Sequence, residues 1–232
     1  MNLADDLVYP YASAPPRIAL DVAEALARCA AVSRVTLFGS LASGTHDGWS
    51  DIDVMCVIPG RAGAWEAIGI LRESMPLRWH GPFADLSLPS GRYWPYGESI
   101  FHSVDLSFRT AEAHARVLEE GVNGHKVIAH DLLWRDAEPS RGIGSGGQPE
   151  NGEYEFTHAL YSAMKAMKAY LRGLGGWVAV SSQMDALEAQ MRGLPRRPAG
   201  GRPEDVLDEA RSLYQRLLMD RLATGSASET GS

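Results

Sequence analysis

Apolar residues recur along this chain at two spacings, and the change from one to the other marks out its elements. Over 15–31, Ile18, Val22, Leu26 and Cys29 share one helical face, and Pro15-Pro16 suits a first turn, so a helix is predicted. The run 35–38 reads as a strand, 51–58 as a second, and 64–73 as a helix with Trp65, Ile68 and Leu71 inward. Between 75 and 100 the pattern dissolves into aromatic, proline- and glycine-containing sequence, in which a short strand at 84–88 and then a loop are expected. In 103–108, Val104, Leu106 and Phe108 alternate with Ser103, Asp105 and Ser107, the signature of a half-buried strand. A helix at 111–119 and a strand at 126–131 follow.

The glycine-dense segment 141–149 excludes a regular element and marks a boundary. Beyond it, Phe156, Leu160, Ala163, Met164, Met167 and Leu171 form one face of a helix at 153–172, with Glu155, His158, Ser162 and Lys165 on the other. Further helices are predicted at 182–191 and 203–222. The fold class is therefore α+β: a catalytic-type domain at 1–140, a linker at 141–152, a helical array at 153–223 and a polar tail at 224–232 that reads as disordered.

One constellation carries chemistry. The first strand ends in Gly39-Ser40, and the second opens with Asp51-Ile52-Asp53. Side chains alternate along a strand, so Asp51 and Asp53 project to one side as a two-carboxylate claw, of the kind that hard divalent cations such as Mg2+ accept. Gly39 lets the backbone turn close to a ligand, and Ser40 stands at a helix start where free N–H groups would face phosphates. The apolar run Val54 to Ile58 buries the rest of the strand and leaves the acids at its exposed end. A third acid is expected, with Asp105 the best candidate and Glu98 the rival.

Phe38-Gly39-Ser40-Leu41, a loop containing Asp47-Gly48, and then Ser50 to Val57 resemble the nucleotidyltransferase superfamily with the DNA polymerase β-type fold, and within it the aminoglycoside nucleotidyltransferases. The resemblance implies a mixed sheet flanked by helices, followed by a helical bundle forming the other wall of a cleft. It also implies that Gly39 and Ser40 bind a triphosphate, and that Asp51, Asp53 and Asp105 hold Mg2+. The nucleoside triphosphate, ATP in the first instance, is then a co-substrate. Where several relatives carry a basic residue three places after the serine, this chain has Ser43, which can donate a hydrogen bond but brings no charge. Lys165 or Lys168 is expected to compensate. By the same resemblance Glu155, or Glu153 after it, is the candidate general base, and two subunits sharing the cleft as a homodimer are implied.

Charge narrows the partners. With 29 acids against 22 Lys plus Arg, the formal net charge is -7, which disfavours nucleic acid and favours a small cationic acceptor bearing a hydroxyl. No apolar run approaches bilayer length, and the N-terminus lacks the features of a signal peptide, so a cytoplasmic location is expected. Cys29 and Cys56 read as core thiols. Two alternatives remain at this level: transfer to a macromolecule, either tRNA or a toxin protein of a toxin–antitoxin pair, and a catalytically silent nucleotide-binding module.

Overall fold

The computed structural model of the chain describes residues 13–82, 88–121, 128–134, 151–194 and 201–228. Helix α1 (Ala14–Ala27) leads into strand β1 (Arg34–Phe38), the short α2 (Gly39–Ser43) and β2 (Ile52–Val57). Helix α3 (Arg61–Ser74), β3 (Leu77–Pro82), β4 (Gly91–Pro95), β5 (Val104–Arg109), α4 (Ala111–Glu120) and β6 (His130–Trp134) follow. Three helices then close the chain: α5 (Asn151–Leu171), α6 (Trp177–Met191) and α7 (Pro203–Ser228). The six strands form one mixed sheet in the order β3-β4-β5-β2-β1-β6, in which β2 and β5 run parallel and every other pair is antiparallel. The expected α+β architecture is thus present.

Period-two alternation explains the first core. Ile52, Val54 and Cys56 point to one side of β2, where they meet Leu106 and Phe108 of β5 and the inward faces of α1 and α3. Proline in the first turn of α1, and Thr110 Oγ1 accepting from Ala113 N at 3.3 Å at the start of α4, fix where those helices begin. On the opposite side, buried His114 of α4 lies 3.0 Å through Nε2 from Thr36 Oγ1, which donates to Asp131 Oδ1 at 2.8 Å and so ties α4 to β1 and β6.

A second core holds α5, α6 and α7 against the sheet. Phe156, Leu160, Ala163, Met164 and Met167, the predicted inner face of α5, pack with Val180 and Leu187 of α6 and Val206, Ala210 and Leu217 of α7. The same cluster includes Trp49, Trp79, Trp94, Ile100 and Phe101 from the sheet-bearing half of the chain. Gly81 makes the approach close: a β-carbon there would overlap the Thr157 side chain, and Trp79 Nε1 donates to Thr157 Oγ1 at 2.9 Å.

Several boundaries differ from expectation. The aromatic stretch after α3 holds two strands, β3 and β4, while the strand expected at 84–88 lies almost wholly outside the described residues. Strand β4 is buried along its whole length because β3 and β5 flank it and both faces are covered, so it shows no alternation to read. The last strand falls at His130–Trp134 rather than 126–131, of which 126–127 is outside the described residues. Helix α6 begins at Trp177, with Ser181 and Ser182 inside it rather than capping it. Helix α7 continues to Ser228, into the stretch expected as tail. The linker at 141–149 lies outside the described residues. Among the described residues no helix is long and apolar enough to cross a membrane.

Candidate active site

The site grows from the register of four strands. Antiparallel pairing sets Phe38 of β1 opposite Asp53 of β2, parallel pairing sets Asp53 beside Asp105 of β5, and antiparallel pairing sets Asp105 beside Arg92 of β4. Arg92, Asp105, Asp53 and Phe38 therefore form a row across the sheet, and the Gly39 corner directly follows Phe38. Gly39 adopts φ 70°, and a β-carbon there would strike Asp53 Oδ2. Glycine is required twice, for the left-handed backbone and for the contact.

Asp51 lies just before β2 and is half-buried, and Tyr161 of α5 donates to its Oδ2 at 3.5 Å. Both oxygens of Asp105 accept from Arg92, through Nε and Nη2, in a bidentate pair. The Arg92 guanidinium also lies 3.2 Å from the centroid of the Tyr161 ring, a cation–π contact. Burial and the neighbouring Asp51 and Asp105 carboxylates push Asp53 up to about 7. Burial likewise raises Asp105, against the opposing hydrogen bonds from Arg92. Tyr161 is pushed up to about 12 by burial and by Asp51.

Facing the acids is a wall of cations on α5. Lys168 is only 6 % exposed. Burial lowers its pKa, partly offset by Asp51 and Asp105. Asp51, Tyr161, Lys165, Lys168 and Arg172 line a cavity of about 190 Å³. Arg172 donates to both oxygens of Asp47, at 2.9 and 2.7 Å, and Asp47 Oδ1 also accepts from Trp49 N and Ser50 Oγ, each at 3.0 Å. Although burial acts the other way, these bonds hold the Asp47 carboxyl below its usual range. The loop that delivers Asp51 is thereby fastened to the end of α5.

The structure brings together Gly39, Asp51, Asp53 and Asp105, with Lys165 on the wall opposite. Ser40 is half-buried in the corner. Ser43 Oγ reaches Gly39 O at 3.1 Å, Ser40 O at 3.2 Å and Thr45 Oγ1 at 2.7 Å, so its hydroxyl is engaged within the turn. Glu155 is exposed and sits six residues before Tyr161, about 9 Å back along the helix axis and on a different face. Glu153 is buried, and its carbonyl accepts from Thr157. Sequence reasoning missed Arg92, Tyr161, Arg172 and Asp47. The i, i+4, i+7, i+11 spacing of Tyr161, Lys165, Lys168 and Arg172 was the available signal for the wall; Arg92, inside a stretch that read as loop, had none.

Asp51 and Asp53 fit a hard divalent cation, since a carboxylate crowded by acidic neighbours, as Asp53 is, is relieved by one. Among the described residues no three His, Cys, Asp or Glu side chains are gathered to enclose a metal ion, and both oxygens of Asp105 are taken by Arg92. A glycine-serine corner thus stands over a strand-borne acid pair within a mixed sheet. Residues 20–84 match the family model described as Nucleotidyltransferase domain, which supports placing the chain in the nucleotidyltransferase superfamily. The matched stretch contains the corner and the Asp51–Asp53 pair but ends before Asp105 and the helical wall. No curated protein matches the chain.

Proposed function

We propose that this chain transfers a nucleoside monophosphate, with ATP the expected donor, to a hydroxyl of a small cationic acceptor of the aminoglycoside type, releasing pyrophosphate. The observation that carries this reading is the Asp51–Asp53 pair lying beneath the Gly39 corner and opposite the buried Lys168.

Asp51 and Asp53 would hold Mg2+, which when bound neutralises polyphosphate charge and polarises the phosphoryl group under attack. Each protein group then has a task. Ser40 and the backbone of the corner border the phosphates, and Gly39 keeps that backbone against Asp53. Lys168 and Lys165 supply the positive charge that Ser43 does not, and Tyr161 orients Asp51 through its hydroxyl. Lys168 in particular is a buried ammonium that gains an anionic partner once a triphosphate enters the cavity. Glu155, exposed on α5, is the candidate general base toward the acceptor hydroxyl. A net charge of -7 favours a cationic acceptor at the open side of the cleft.

The test is to incubate the protein with Mg2+, each of ATP, CTP, GTP and UTP, and a panel of aminoglycosides, and to weigh the products by mass spectrometry. An acceptor heavier by one nucleoside monophosphate, absent with Asp51→Asn or Asp53→Asn, is expected. Failure of every nucleotide with every acceptor, or unchanged turnover in either variant, would refute the proposal.

A further inference from the structure

We infer that Arg92 withholds Asp105 from the metal, so that the site takes a single divalent cation on Asp51 and Asp53 while the guanidinium serves as the fixed counter-charge of the third acid. This rests on the reading of Asp51 and Asp53 as metal ligands, and it departs from the three-carboxylate arrangement the sequence suggested.

Three observations converge on it. First, the pairing is complete: Nε and Nη2 of Arg92 face the two Asp105 oxygens in the planar fork geometry that guanidinium and carboxylate share. Second, it is locked by register, because Arg92 and Asp105 are direct cross-strand partners on β4 and β5 and neither strand can slide without moving the whole sheet. Third, it is enclosed. The side chains of Arg92 and Asp105 are 10 % and 15 % exposed, and the Tyr161 ring covers the guanidinium from the α5 side. For Asp105 to turn toward a cation, a buried guanidinium would have to give up both of its charge-assisted bonds. Among the described residues the Asp51 carboxylate has one long hydrogen bond, from Tyr161, and Asp53 is pressed on by its two acidic neighbours.

Binding of Mn2+ alone, followed by loss of the free-ion signal in electron paramagnetic resonance, tests this with a charge-neutral exchange. The double variant Arg92→Gln/Asp105→Asn removes one positive and one negative charge together. It is expected to bind one Mn2+ per chain within about threefold of wild-type affinity, whereas Asp51→Asn loses about tenfold or more. A tenfold loss in the double variant, or two Mn2+ ions bound by the wild type, overturns the inference. A wild type that binds no Mn2+ refutes instead the underlying assignment of Asp51 and Asp53, and the inference with it. Where the double variant does not fold, the wild type answers by nitrogen-15 NMR. The Arg92 Nε–H signal should stay protected from exchange as Mg2+ is added, and its loss would show Asp105 leaving the guanidinium for the ion.

Discussion

Asp53→Asn should stabilise the metal-free protein, in proportion to how crowded that carboxylate is. Asp53 titrates at about 7 in the fold against 3.8 for an ordinary carboxyl, raised by burial and then by Asp51 and Asp105. At about 1.4 kcal/mol per pH unit, ionising it in the fold costs at most about 4 kcal/mol, and partial contact with solvent brings the working figure nearer about 2 kcal/mol. The sign follows from linkage. A carboxyl whose pKa is raised by folding binds more protons in the folded state between about 4 and 7, so the wild type loses stability as pH rises through that window and no more above it. Asparagine keeps the shape and carries no charge. In EDTA at pH 8.5 the variant should melt about 4–8 °C above wild type for a chain of this size, with a gap that narrows as pH falls toward 5. Differential scanning calorimetry across pH measures both. A variant no more stable than wild type at pH 8.5, or a gap that widens toward acid, would refute the electrostatic account of the site. The same substitution should abolish nucleotide transfer, which sets stability and activity in opposition at one residue.

Lys168→Met, which replaces a buried ammonium by an apolar chain of similar length, should not lower the melting temperature yet should weaken nucleoside triphosphate binding about tenfold or more, by isothermal titration calorimetry. Gly39→Ala forces a β-carbon into the left-handed region and against Asp53; a cost of about 1–3 kcal/mol in urea unfolding and a loss of transfer larger than that stability change predicts are expected. Trp79→Ala empties the centre of the second core and removes the bond to Thr157, so unfolding should become easier by about 3–5 kcal/mol.

What the sequence made legible was whatever a strand or helix period could carry. Asp51 and Asp53 were readable because Ile52, Val54 and Cys56 fix the face on which the acids cannot lie. Asp105 was readable because Val104, Leu106 and Phe108 do the same for β5, and the parallel register then sets it beside Asp53. Strand β4 was not, since a strand covered on both faces loses alternation and its Gly91 and Pro95 imitate turn residues. Its arginine was hidden with it. Glu155 and Lys165 stood on one polar face in sequence terms, but about three turns of helix separate them, and tertiary docking decides which turn meets the acids.

That docking is fixed at two places. Near its start, α5 sits on β3 through Thr157, against Gly81 and Trp79; near its end, Arg172 grips Asp47 in the loop that delivers Asp51. The two anchors are about 22 Å apart along a continuous helix, and Tyr161, Lys165 and Lys168 lie between them. A helix held at both ends neither rotates nor slides as a lid would. The cation wall is therefore preformed opposite the acids, and binding a polyphosphate demands little reorganisation of it. The core that holds it is shared with the sheet through Trp49, Trp79, Trp94 and Phe101, so helices and sheet do not part without unfolding that core. In this chain, then, packing of the second core and geometry of the site are one structural fact: a change at Gly81 or Trp79 is felt at Asp51 through Tyr161, without any residue of the site being altered.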